Sequence, residues 1–176
     1  ETNPQEEIFL VADRYHEFDA RHGEISLHVY LREDDKVLAD RYIEAARAYI
    51  DFYSRLLGPY PYKKFAVVEN SRQTGYGMPS FTLLGSRVIR FPFILHTSFP
   101  HEILHNWWGN GVYIDPDFGN WAEGLTTYLA DHLLPELRGK GDRYRFQELM
   151  KFASYVNETN DFPLAEFKGR NSMASQ

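Results

Sequence analysis

The sequence predicts an α+β protein, with strand signals gathered before residue 91 around one long helix, and helix signals alone after it. Three observations carry this. Residues Ile25 to Leu31 alternate apolar and polar, the period of a half-buried strand. From Val37 to Leu57 the apolar residues recur every three or four positions, the period of an amphipathic helix. After residue 99 the helix-start residues Pro100, Asn120 and Asp142 each precede a stretch with helical patterning.

In chain order, Ile8-Phe9-Leu10-Val11-Ala12 reads as a first strand and Ile25–Leu31 as a second, with Arg21-His22-Gly23-Glu24 turning between them. The helix over 37–57 carries Tyr42, Ala46, Tyr49, Ile50, Tyr53 and Leu57 on one face, and Gly58-Pro59 stops it. Phe65-Ala66-Val67-Val68 is expected to be a buried strand. Phe81–Leu84 and Arg87–Arg90 are expected to be edge strands around Gly85-Ser86. Pro100 suits the first turn of a helix from His101 to about Trp108, ended by Gly109 or Gly111. A loop through Asp115-Pro116-Asp117-Phe118-Gly119 leads to Asn120, which can cap a helix running to Leu134 before Pro135. Asp142 can cap a last helix with Tyr144, Leu149, Phe152, Ala153 and Val156 in a stripe. Residues Lys168 to Gln176 carry no apolar pattern and read as a cut end.

The chain has 176 residues, and 43% of them are hydrophobic, enough for one domain with a core. It has no Cys, which excludes disulfides, a thiol nucleophile and Cys-based zinc sites. Its 19 Lys and Arg against 25 Asp and Glu leave a charge of −6 without a basic block, which argues against nucleic acid as the partner. No apolar run is long enough to span a bilayer.

The chemistry lies in the second half. His101-Glu102-Ile103-Leu104-His105 is H-E-x-x-H on a predicted helix. Residues four apart share a helix face, so both imidazoles can reach one metal ion, with Glu102 beside them to take a proton from a water. The pentapeptide arises by chance in roughly two of every hundred sequences of this composition, so the plain alternative is an amphipathic helix. Zinc with two His ligands needs a third protein ligand. Glu123, in Trp121-Ala122-Glu123-Gly124 and 18 positions after His105, can be returned by a loop and a second helix. Asn120-x-x-Glu123 is also close to a capping box, in which Glu123 would only satisfy backbone donors. There is no G-x-S-x-G elbow for a serine hydrolase, and Gly75-x-Gly77 is too weak for a nucleotide loop.

The run His101-Glu102-Ile103-Leu104-His105-Asn106-Trp107-Trp108-Gly109-Asn110, then Trp121-Ala122-Glu123-Gly124 and Tyr128, resembles the gluzincin zinc peptidases, specifically the membrane alanyl aminopeptidase family. Upstream, Gly58-Pro59-Tyr60-Pro61-Tyr62-Lys63-Lys64 and the strand after it are similar to the same family. The resemblance covers roughly residues 40–135. It implies a thermolysin-like catalytic domain over 36–176, with a small mixed sheet followed by a helical part. It also suggests that the strands of residues 1–35 end a preceding β-domain. It implies one zinc ion held by His101, His105 and Glu123, a peptide or protein substrate, and Glu102 as general base. Glu102 would take the proton of the attacking water and hand it to the leaving amine.

The chain departs from the family at three places. The segment between His105 and Glu123 is one residue shorter than the family's, which the 110–120 loop can absorb. In Gly75-Tyr76-Gly77-Met78-Pro79-Ser80-Phe81, Pro79 stands where the family has a Glu that holds the substrate's α-amino group. A Pro cannot bind an ammonium, so the aminopeptidase-like activity that the resemblance implies stays open between exo- and endo-cleavage; Glu69 could substitute, but reads better as a solvated strand-end carboxylate. The family's oxyanion tyrosine lies farther along than Tyr144 or Tyr155, whose helical spacing suits core packing. The chain starts at Glu1 rather than Met and stops 53 residues after Glu123, so this tyrosine is expected beyond Gln176, in a longer protein. Trp107 and Trp108 read as core, His96 as outside the metal site, and Asp131 and Thr127 as candidate partners of a ligating His or as helix surface. The other function classes are a zinc-stabilised, non-catalytic peptide-binding module or inactive fragment, and a metal-free interaction domain.

Overall fold

The computed structural model describes residues 8–73 and 75–167. The chain divides into two compact units, Glu1–Gly111 and Val112–Gln176.

The first unit holds a five-stranded mixed sheet, in the order β1-β2-β3-β5-β4. Strands β1 (His16–His22) and β2 (Ile25–Leu31) form an antiparallel hairpin closed by Gly23-Glu24, where Gly23 takes a φ of 57°. Strand β3 (Lys64–Asn70) pairs parallel with β2, so the chain must cross the sheet between them. The crossover is α1 (Lys36–Leu57), one residue longer than the spacing predicts. The Asp35 carboxylate caps it by accepting the Leu38 N–H at 2.9 Å, and Gly58, at φ 106°, ends it. Its buried face of Leu38, Ala39, Tyr42, Ile43, Ala46, Ile50 and Tyr53 includes most of the predicted stripe.

Strand β5 (Phe81–Gly85) pairs parallel with β3 and antiparallel with β4 (Gly75–Met78). Residues 81–84 are therefore interior to the sheet rather than an edge, and Thr82 and Leu84 are fully buried. The edge is β4. The segment predicted as a strand over 87–90 is instead a 3-10 turn over Val88–Arg90.

Ile8–Ala12 is not a strand. Its apolar side chains are uncovered, Ile8 at 96% and Leu10 at 89% exposure, and no strand among the described residues pairs with it. The polar β1 takes the sheet edge in its place. Apolar composition favours a strand only where a ladder partner supplies hydrogen bonds.

Helix α2 (Ser98–Leu104) starts three residues earlier than predicted and ends sooner, at His105. It packs in an aromatic core between α1 and β3. The Phe99 ring meets Tyr42 edge-on at 5.0 Å and lies 6.1 Å from Phe65.

In the second unit, α3 (Trp121–Thr126) runs into a π-helical stretch over Thr127–His132 and then α4 (Leu133–Leu137). The helix thus passes through Pro135 instead of stopping before it. A proline ring crowds the carbonyl one turn back, and the widened turns just before α4 make room for it. Helix α5 (Gly141–Tyr155) begins one residue before Asp142, which falls in its first turn and pairs with Arg145 rather than capping. Its apolar stripe is exposed: Leu149 at 67%, Phe152 at 58% and Tyr155 at 50%, so Tyr155 is not a core residue. Residues Lys168–Gln176 lie outside the described part. No helix among the described residues is long and apolar enough to cross a membrane.

Candidate metal centre

His101 lies inside α2 and is buried, with Glu102 beside it partly exposed. His105 is the residue that ends the helix, still in helical geometry at φ −57° and ψ −16°, with its N–H donating to the His101 carbonyl. The i, i+4 spacing therefore survives the early helix end. The two imidazoles meet edge-on with ring centroids 4.9 Å apart.

His105 Nδ1 lies 3.2 Å from the carbonyl oxygen of Trp108. A carbonyl only accepts, so this contact assigns the proton to Nδ1 and leaves the Nε2 lone pair for a metal. The turn that follows the helix supplies this partner, a backbone group invisible in the side-chain pattern.

Asn106 is fully buried and ties the end of α2 to the β4–β5 turn. Its Oδ1 accepts the Ser80 N–H at 2.9 Å, and its Nδ2 donates to the Ile103 carbonyl at 2.8 Å. Trp107 is core, as expected: its Nε1 donates to the Gly58 carbonyl at 3.1 Å and its ring packs edge-on against Tyr53 and Tyr60.

Glu123 sits in the first turn of α3. Asn120 caps that helix, its Oδ1 accepting the Glu123 N–H at 3.3 Å. The reciprocal half of a capping box would need the Glu123 carboxylate on the Asn120 N–H. That N–H donates to the Phe167 carbonyl at 2.6 Å. One group of His and acidic side chains able to hold a metal ion is found among the described residues: His101, His105 and Glu123, each offering a ligand atom within 4.8 Å of the others. Two imidazoles and one carboxylate are a donor set that suits zinc and leaves a coordination position open.

The remaining candidates separate. His96 is exposed at the end of a 3-10 turn and is not in the group. Asp131 lies in the π-wound stretch over Thr127–His132, eight positions after Glu123, and is not in the group. Glu69 is not a solvated carboxylate. It is 2% exposed, accepts the Arg90 guanidinium at 2.7 Å and takes the Arg32 N–H at 2.8 Å, so it is committed to the core. That hydrogen bond to Glu69 also raises the Arg90 pKa. Pro79 and Ser80 form the β4–β5 turn, Ser80 at φ 66°. Proline followed by a left-handed residue is the pattern of a type II turn.

No protein-family model matches the chain, and no curated relative does either. Solved structures do match. An M1 zinc metallopeptidase from Deinococcus radiodurans superposes with a TM-score of 0.59 at 20% identity, covering 88% of this chain and 37% of that one. A mutant of the same Deinococcus protein bound to a Tyr-Ser-Ala substrate gives a TM-score of 0.54 at 20% identity over 80% of this chain and 33% of that one. Yeast LTA4 hydrolase gives 0.58 at 17% identity over 85% of this chain and 24% of that one. The fold is M1-peptidase-like. This chain spans about a third of the Deinococcus protein and a quarter of the yeast one.

Proposed function

We propose that this chain is the metal-binding core of a zinc-dependent peptidase, with His101, His105 and Glu123 as ligands of one zinc ion and Glu102 as general base. The observation that carries the proposal is the convergence of two imidazoles and one carboxylate. The M1-like fold and the H-E-x-x-H spacing support it. We read the fold more finely as thermolysin-like, on the ground that an antiparallel edge strand, β4, runs beside the helix that carries both histidines.

When bound, zinc supplies a Lewis acid that polarises the scissile carbonyl and lowers the pKa of water toward neutrality. The chain's own residues do the rest. The Trp108 carbonyl holds His105 in the tautomer whose Nε2 is free to coordinate. Glu102 accepts the proton of the attacking water at a carboxylate oxygen and returns it to the leaving amine. The substrate is a peptide or protein. With Pro79 in the β4–β5 turn and Glu69 sealed in the core, neither of the two candidate groups for a free amino terminus is available, so cleavage is not restricted to amino-terminal residues.

Metal analysis tests the zinc site. The purified protein should carry one zinc per chain and lose thermal stability when stripped; a chain without zinc and without a thermal shift on adding it sinks the proposal. Substrate class is read by comparing free and N-acetylated peptides, which should be cut equally well.

A further inference from the structure

Strand β4 runs so close to the metal helix that a side chain at either of two of its residues would press on it. A Cβ at Gly75 would lie 3.1 Å from Glu102 Oε1 and 3.7 Å from its Cδ. A Cβ at Gly77 would lie 2.9 Å from Glu102 Oε2, 3.0 Å from His105 Cβ and 3.2 Å from His105 Cδ2. Neither glycine has a left-handed φ, so the backbone itself would accept alanine. What a side chain would crowd is Glu102 and His105. Strand periodicity puts residues 75 and 77 on one face and turns Tyr76, 44% exposed, to the other.

The strand cannot back away to relieve such a contact. It is paired to β5 along its length, the Thr82 hydroxyl donates to the Tyr76 carbonyl at 3.0 Å, and its turn is pinned through Ser80 to Asn106. The Glu102 carboxylate, at the end of a rotatable side chain, is what would yield.

We infer that Gly75 and Gly77 are positioning residues: bare backbone at these two positions holds one carboxylate oxygen of Glu102 each, and at Gly77 it also sets the place of His105. The inference rests on the reading of Glu102 as base and His105 as ligand. It divides the two glycines by what they touch. Of the two site residues Gly75 reaches only the base, its other neighbour being Leu84 Cδ2 at 3.6 Å, whereas Gly77 reaches the base and a ligand.

Alanine at each position tests this. Gly77→Ala should weaken zinc binding about tenfold in a chelator competition titration. It should also change the visible absorption of the cobalt-substituted protein, which reports ligand geometry. Gly75→Ala should leave both unchanged, yet in a crystal structure its Glu102 side chain should occupy a different rotamer. The inference is overturned if Gly77→Ala matches the unsubstituted chain in zinc affinity and cobalt spectrum, or if both variants lose zinc equally. It is overturned independently if Glu102 keeps its rotamer in Gly75→Ala, a readout that needs no metal and no activity. A chain that binds no zinc at all would instead sink the function proposed above, and the Glu102 rotamer would still decide the role of Gly75.

Discussion

Asn106 Oδ1 accepts the backbone N–H of Ser80 at 2.9 Å, inside a core where neither side chain reaches solvent to any extent. The Tyr60 hydroxyl lies 3.2 Å from the same oxygen and 3.1 Å from the Lys64 carbonyl. One amide thus joins the residue after His105, the turn of the edge strand and the loop that leads into β3. Asn106→Ala leaves the Ser80 N–H buried without an acceptor and should destabilise the fold by about 3 kcal/mol. The denaturant midpoint measures that cost, and a change below about 0.5 kcal/mol would show that the bond is replaced by water.

Glu102→Gln separates metal binding from proton transfer. The amide keeps the size of the side chain and loses its basicity, so zinc affinity should hold while hydrolysis falls by about a hundredfold or more. The rate belongs in the longest form of the protein that cleaves peptides, since this chain spans a third of the Deinococcus relative in fold. Unchanged turnover would remove Glu102 from the mechanism.

Arg90 is the partner of a carboxylate that water barely touches. The pair is 2.7 Å long, with Glu69 at 2% exposure and the Arg90 side chain at 34%. Breaking a buried pair strands a charge, and the partial exposure of Arg90 moderates the loss. Arg90→Met should therefore cost about 2 kcal/mol, seen as a lower urea midpoint. The double variant Arg90→Met with Glu69→Gln should recover part of it.

Tyr42 makes stability sensitive to alkali. Burial raises its pKa above the ordinary 10.0, and its hydroxyl donates to the Ile89 carbonyl at 2.8 Å. Burial first and the Glu17 hydrogen bond second push Tyr30 up to about 12. Both groups favour the neutral form when folded, so their contribution is complete below pH 10. It falls as pH climbs past that value, where the unfolded chain loses its protons first. Tyr42→Phe should cost about 1 kcal/mol at neutral pH and flatten the alkaline decline. Unfolding curves at rising pH read both effects.

The i, i+4 pair His101 and His105 was legible because one helical turn brings such residues together whatever surrounds the helix. The pair holds although α2 ends at His105, since His105 itself keeps helical dihedrals. Helix α1 was legible almost to the residue, because its caps Asp35 and Gly58 act locally. Glu123 was legible as a third ligand that a loop and a second helix can return, and then by resemblance, while Asn120-x-x-Glu123 also read as a capping box, of which the structure shows the Asn120 Oδ1 accepting the Glu123 N–H.

Sequence alone determined the long helix and the histidine pair on its helical turn, whose hydrogen bonds close within a few residues, and it marked β2 and β3 by their apolar patterns. Tertiary structure decided which apolar runs found partners. It left Ile8–Ala12 uncovered and gave the edge to polar β1, because a strand is completed by a neighbour its own sequence does not specify. It buried Glu69 against Arg90, two residues whose pairing no local pattern signals. It also set Gly75 and Gly77 against Glu102, a closeness that depends on where β4 lies and that glycine, having no side chain to pattern, cannot announce.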